Sequence, residues 1–273
     1  MFGVAMAKPS GIVTLTTDFS TADGYAGAMK GRILSVFPRA VVVDLSHDIP
    51  AGDVRSAAWC LRVSTRLFPR GTVHVAVVDP GVGSGRRPLL LEGGNGQVYV
   101  GPDNGIFDLA TAEHAVSQAW AIDGAAVSGG RPVSGTFHGR DIFAPAAALA
   151  AKGTAPSKFA ASVAPESLVR LDLDPHCRLL EDRIVAVVLH VDIFGNIVTS
   201  IPSRYGVVIY KGQAGKKTVQ KPVRCYTDMK EGELHFIEGS SGFMEISLRG
   251  DSAAIRTGVT KGSEVIAFLK GNR

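Results

Sequence analysis

The stretch Val73-His74-Val75-Ala76-Val77-Val78-Asp79-Pro80-Gly81-Val82-Gly83 decides the fold. Its first six residues are mostly β-branched and apolar, which reads as a buried strand. The run ends in a carboxylate and a tight turn of small residues. Upstream, Ile12–Thr16 and Val41–Leu45 are runs of the same kind. Between them, Tyr25–Phe37 sets Met29, Ile33, Leu34 and Phe37 at helical spacing, and Asp53–Phe68 does so with Ala57, Ala58, Leu61 and Leu67. Strand alternating with helix implies right-handed crossovers and a largely parallel sheet. Downstream come shorter runs at Leu89–Leu91 and Val98–Val100, then an Ala-rich helix over Phe143–Ala151 closed by Gly153.

The texture changes across Thr154–Asp182, where Pro156, Pro165 and Pro175 interrupt a stretch with few long apolar runs. Beyond it, Ile184–Val191, Val207–Tyr210, Glu233–Ile237, Met244–Leu248 and Glu264–Leu269 read as short strands separated by Gly-rich turns, with no strong helix. The expected architecture is an α/β domain over 1–165, a linker over 166–183 and a smaller all-β, barrel-like domain over 184–273.

Composition excludes several classes. The chain has 273 residues, 45% apolar and 20% charged, with 29 Lys+Arg against 25 Asp+Glu, which is globular rather than disordered. The net charge of +4 is spread along the chain, and Arg86-Arg87 and Lys216-Lys217 are the only adjacent basic pairs, so no nucleic-acid stripe is expected. Cys60, Cys177 and Cys225 share no close spacing, which argues against a disulfide framework and a zinc ribbon. Met1–Ser10 has too short an apolar stretch for a signal peptide, and no window reaches the ~18 apolar residues of a membrane span. The expectation is a soluble, cytoplasmic protein. No Gly-x-Ser-x-Gly elbow, Cys-nucleophile motif or phosphate-binding loop is present, and no two His stand at i, i+4. Arg86 occupies the third glycine position after Gly81 and Gly83, so the turn is not a dinucleotide fingerprint.

What remains sits at strand ends and turns. Asp18 and Asp79 each close a candidate parallel strand, where open α/β sheets bind ligands. One such Asp is more often a cap for the next turn, whereas two on neighbouring strands favour a site. Thr136-Phe137-His138-Gly139-Arg140-Asp141 puts a candidate general base, His138, before an apolar helix, with a His138–Asp141 bond as the bland alternative. Asp192-Ile193-Phe194-Gly195-Asn196 combines a carboxylate, an aromatic face and an amide suited to a purine and an amine; taken alone it reads more readily as a β-turn built on Gly195-Asn196.

Together these motifs resemble, in order and over about Ile12–Leu269, the S-adenosylmethionine (SAM) hydroxide adenosyltransferases, relatives of the SAM-dependent fluorinase and chlorinase. The resemblance is carried by Thr17-Asp18-Phe19, the Asp23/Tyr25/Lys30-Gly31 helix start, Val77–Gly83, Pro102-Asp103-Asn104-Gly105, Phe137–Asp141 and Asp192–Asn196. It implies an N-terminal α/β domain with a C-terminal barrel, and a homotrimer with SAM bound between subunits. It also implies hydrolysis of SAM to adenosine and L-methionine with no metal or cofactor, SAM being the substrate. The catalytic set it implies is Asp79, Arg86 and His138, with either Asp79 or His138 taking the proton from water. Substrate contacts carried over are Asp18 for the ribose hydroxyls, Asp192 for the methionine amino group, Asn196 for adenine with Phe194 beside it, and Ser240 for the carboxylate. Asp23, Tyr25, Asn104 and Glu245 stand in matching motifs. Three positions depart from the family pattern: Ser20 and Gly239 stand where Gly and Asn are usual, and Ser200 replaces a common Asn. The rival readings are a SAM-dependent halogenase and a non-enzymatic SAM or adenosine sensor.

Overall fold

The computed structural model describes residues 7–171 and 177–270. The chain divides into two compact units between residues 172 and 173. Residues 1–6 of the segment weighed as a signal peptide, residues 172–176 of the expected linker, with Pro175, and residues 271–273 lie outside the described residues. The start of the expected linker is fastened to the first unit. Val169 N donates to Asp103 Oδ1 at 2.9 Å, and Leu171 N donates to Asp108 Oδ2 at 3.1 Å.

The first unit is built on seven strands: β1 (Ile12–Thr17), β2 (Val41–Ser46), β3 (Val73–Val77), β4 (Pro88–Gly93), β5 (Val98–Pro102), β6 (Val116–Ile122) and β7 (Ala160–Val163). They form one sheet in the order β2-β1-β3-β5-β4-β6-β7. β1 pairs in parallel with β2 and β3, and β3 pairs in parallel with β5. The rest of the sheet is antiparallel. The parallel half coincides with the strand–helix alternation of the sequence. The direction changes at β4 because only a short turn joins it to β5, and a parallel crossover needs a dozen or more residues.

Helices cover both faces of the parallel half. α1 (Tyr25–Val36) and the helix Ala144–Ala151 pack on one face, and α2 (Val54–Ser64) on the other. Alternation along β3 explains this division: Val73, Val75 and Val77 join the first core, and Ala76 and Val78 the second. Asp53 starts α2, its Oδ1 accepting from Ser56 N at 2.9 Å. The helix stops short of Phe68 because Thr65–Leu67 tightens into a 3₁₀ turn.

The second unit contains β8 (Arg178–Leu179), β9 (Arg183–Val191), β10 (Ile197–Pro202), β11 (Ile209–Ala214), β12 (Lys217–Val223), β13 (Leu234–Glu238), β14 (Phe243–Leu248) and β15 (Glu264–Leu269). The strand order is β10-β14-β13-β12-β11-β15-β9-β8, and pairing of β9 with β10 closes the ring into a barrel with β8 outside it. Ile184, Ala186 and Val188 alternate into the interior with Ile246, Phe236 and Val265. The strand expected at Val207–Tyr210 begins at Ile209, because a 3₁₀ turn occupies Ser203–Val208. One five-residue helix, Ala253–Thr257, also occurs.

Candidate active site

A cavity of about 210 Å³ opens in the first unit at the carboxyl ends of β1 and β3. Its walls include Asp18, Asp79, Phe137, His138 and the backbone of Gly52. This is the position where parallel strands leave a crevice for ligands. Asp18 Oδ2 accepts from Gly52 N at 2.9 Å, which draws the loop before α2 onto the end of β1. Phe19, Tyr25 and Phe137 meet edge to face, with ring centroids 5.2–6.0 Å apart. Tyr25 is half exposed at the start of α1, and Asp23 is exposed in the loop before it.

Asp79, Arg86 and His138 come together. Arg86 Nε donates to Asp79 Oδ1 at 3.0 Å, and Nη2 donates to Asp79 Oδ2. The same Nη2 reaches His138 Nδ1 at 2.8 Å. The guanidinium has no acceptor, so His138 Nδ1 accepts and the imidazole proton lies on Nε2. The bland alternative, His138 bonded to Asp141, is not what forms. Asp141 instead takes Arg140 on both oxygens, at 2.7 and 2.8 Å, and Ser134 N at 2.9 Å. That last bond ties off the loop carrying Thr136, Phe137 and His138, and a π-helical turn, Gly139–Phe143, follows.

Glycine makes the meeting possible. Gly83 has φ +79, and a Cβ there would strike the carbonyl oxygen of Gly135. Only glycine lets the turn after Asp79 lie against the loop before His138. The ion pair is buried, with Arg86 and Asp79 side chains 10% and 5% exposed. The Arg86 guanidinium also lies 5.2 Å from the centroid of the Phe143 ring. Its buried Nη1 has no hydrogen-bond partner among the described residues. Burial, and then the charge of Arg86, hold His138 below its ordinary pKa, with Asp79 and Asp141 pulling the other way.

Asn104 lies behind this cavity. Its Nδ2 donates to Val78 O at 2.9 Å and its Oδ1 accepts from Ile106 N at 3.2 Å, so it fixes the backbone just before Asp79. The sequence reading missed a second support. His47 Nδ1 lies 2.8 Å from Thr17 Oγ1, and its Nε2 lies 3.0 Å from Asp44 Oδ1, which also meets Lys30 through its other oxygen. The spacing of Asp44 and His47 on and beyond β2 was the signal available for it. Ser20 has φ 56, a left-handed backbone that suits glycine, the residue the family resemblance leads us to expect there.

In the barrel unit, Asp192–Asn196 forms the turn between β9 and β10. Asp192 Oδ1 accepts from Phe194 N at 2.9 Å and Asn196 N at 2.8 Å, and Oδ2 accepts from Asn196 Nδ2 at 2.9 Å. Phe194 is left 73% exposed. Ser240 is exposed in the turn between β13 and β14. Burial, then the charge of Asp192, raises the pKa of Glu245 on β14. A Cβ at Gly239 would fall on the Glu245 carboxylate, so the missing side chain at 239 is the space Glu245 occupies. Tyr226, outside every sequence motif, joins this group: burial, then Glu245 and Asp192, raise its hydroxyl pKa.

A carboxylate, a guanidinium and a neutral imidazole beside a small cavity at the ends of parallel strands define an α/β protein built to act on a small polar molecule. Residues 13–160 match the family model for the SAM hydroxide adenosyltransferase N-terminal domain, and 186–266 match that for the C-terminal domain. The chain belongs to the SAM hydroxide adenosyltransferase family. It is 37% identical over 257 residues to a Salinispora arenicola protein named (R)-S-adenosyl-L-methionine hydrolase, covering 93% of this chain and 96% of that one. A fluorinase of Nocardia brasiliensis is 27% identical over 213 residues, covering 70% of this chain and 71% of its own. The crystal structure of an uncharacterized conserved protein from Thermotoga maritima superimposes with a TM-score of 0.86 at 29% identity, covering 94% of this chain and 99% of that one.

Proposed function

We propose that the chain is a cytoplasmic, adenosine-forming SAM hydrolase that attacks ribose C5′ with water, and that its substrate is the (R) sulfonium form named for its Salinispora relative. The observation that carries the reading is the buried Asp79–Arg86 ion pair with His138 bonded to it beside the cavity. The sulfonium makes C5′ electrophilic, and methionine leaves as a neutral thioether that needs no acid. The reaction needs an aligned water and an acceptor for its proton.

The hydrogen bonds favour a division of labour. His138 presents Nε2–H and is a donor. Arg86 is a donor throughout, and its Nη1 has bonds to spare. Asp79 is then the acceptor within the set, since a carboxylate has lone pairs beyond those given to Arg86. In this mechanism Asp79 orients the water and takes its proton as the C5′–O bond forms and the C5′–S bond breaks. The products are adenosine, methionine and one proton. Asp18 holds the ribose diol.

A cavity of about 210 Å³ is smaller than the roughly 300 Å³ at which pockets for drug-sized ligands begin. That supports a site completed by Asp192, Phe194, Asn196, Ser240 and Glu245 of a neighbouring subunit in a homotrimer, with Asp23 and Tyr25 at the rim. The test is incubation of the pure protein with SAM of mixed sulfonium configuration, with and without chloride. Adenosine and methionine should form at the expense of the (R) epimer, unaffected by chloride and lost in Asp79→Asn. Formation of 5′-chloro-5′-deoxyadenosine, or tight binding without turnover, overturns the reading.

A further inference from the structure

A second cavity lies in the first unit, with a lining that takes in Arg140 and Asp141, just after His138 and Gly139 of the first. It measures about 300 Å³ and is lined by Arg32, Ser128, Arg131, Pro132, Arg140 and Asp141. Three guanidinium groups therefore border one space with a single carboxylate among them. Each is held differently. Arg32 is anchored through Nη2, which donates to Ser128 O at 2.6 Å at the end of a short helix. Arg140 is held by Asp141 and lies over the Phe137 ring, 5.0 Å from its centroid. Arg131 is exposed and makes no hydrogen bond or ion pair with the described residues.

The charges in this space do not balance. Three arginines against Asp141 leave a formal excess of two positive charges, all on groups that stay protonated at any working pH. Burial, and then the neighbouring charge of Arg131, hold Arg32 below its ordinary pKa, with Asp141 opposing them.

We propose that this cavity binds a small phosphate-bearing anion, held by Arg32, Arg131 and Arg140. A phosphate dianion matches the excess charge, and its oxygens suit the paired N–H groups of guanidinium. The space is at the lower end of the roughly 300–1,000 Å³ of small-molecule pockets, so there is room for more than inorganic phosphate. The site is separate from the hydrolytic one. Its Arg140 reaches the catalytic side by stacking on Phe137, which lines the first cavity.

The probe is pyrophosphate, titrated calorimetrically into the full-length protein at low ionic strength with adenosine present in saturating amount. One binding event per chain is expected, weakened roughly tenfold or more in Arg131→Ala and partly retained in Arg131→Lys. Arg131 lies outside the hydrolytic cavity, so an unchanged unfolding midpoint and an unchanged hydrolysis rate show that both variants are intact. No binding up to millimolar pyrophosphate, or equal binding by wild type and Arg131→Ala, overturns the proposal. So does a change of oligomeric state in Arg131→Glu without pyrophosphate binding, which would make the cavity a contact between copies of the chain.

Discussion

Replacing Arg86 with Met removes both N–H groups that reach Asp79 and leaves its carboxylate, 5% exposed, without them. Breaking a buried pair from one side costs about 3–5 kcal/mol, because the remaining charge has lost its solvation and its partner together. The lost contact with Phe143 adds to this by about 1–2 kcal/mol, because the guanidinium is buried. Removing the charge as well should relieve most of the cost. In Asp79→Asn/Arg86→Met neither buried charge of the pair is left, and the remaining loss is about 1–2 kcal/mol for hydrogen bonds and packing. Urea unfolding of wild type, both single variants and the double variant closes the cycle, with an expected coupling of at least about 2 kcal/mol. A coupling below about 0.5 kcal/mol would mean that water already solvates Asp79, and the buried ion pair that carries the proposed function would fall. All three variants should lose hydrolysis, so stability and turnover separate the structural role of the pair from its chemical one.

Three further outcomes follow from the geometry. Burial and Arg86 lower the pKa of His138 from 6.5, so the stability that depends on a neutral ring is complete above 6.5 and is lost as pH falls through the folded value. Protonating Nδ1 also removes the acceptor for Arg86, so the kcat–pH profile should be level above 6.5 and fall only below it, with that acid limb absent from the residual rate of His138→Gln. Ser20→Val should destabilise the chain by about 1–2 kcal/mol in thermal unfolding, since a β-branched side chain fits poorly at φ 56, whereas Ser20→Gly should stay within about 1 kcal/mol of wild type. Gly239→Ala should displace the Glu245 carboxylate and raise KM for SAM roughly fivefold or more while kcat and the unfolding midpoint change little; a KM equal to wild type would remove Glu245 from the substrate site.

The fold was legible where the chain's period matched its burial. Val73–Val78 is apolar because both faces of β3 are covered, and Glu264–Leu269 was bounded correctly because a Gly-containing turn precedes it. β12 escaped notice because its apolar positions, Val219 and Val223, are diluted by Lys217, Gln220, Lys221 and Pro222 on a strand with much of its surface outward. Its pairing with β11 and β13 defines it. The antiparallel half of the first sheet was hidden for a related reason: strand direction is set by the length of the connection, and the short apolar runs at Leu89 and Val98 carry no record of it.

The site divides along the same line between pattern and partnership. Asp18 and Asp79 were readable because a strand's end can be seen in sequence. That Arg86 bonds both Asp79 and His138 was not readable from spacing, since it depends on Gly83 admitting the carbonyl of Gly135. In the barrel unit the bland and the functional readings turn out to be compatible. Asp192 and Asn196 bond one another and build a β-turn, as Gly195-Asn196 alone would suggest. These bonds hold the turn's shape, and it presents Ile193 and the Phe194 ring outward. A rigid turn carrying an exposed aromatic face loses little entropy when a purine stacks on it. Asp192 and Asn196 thus fix the backbone that carries the exposed Phe194 ring.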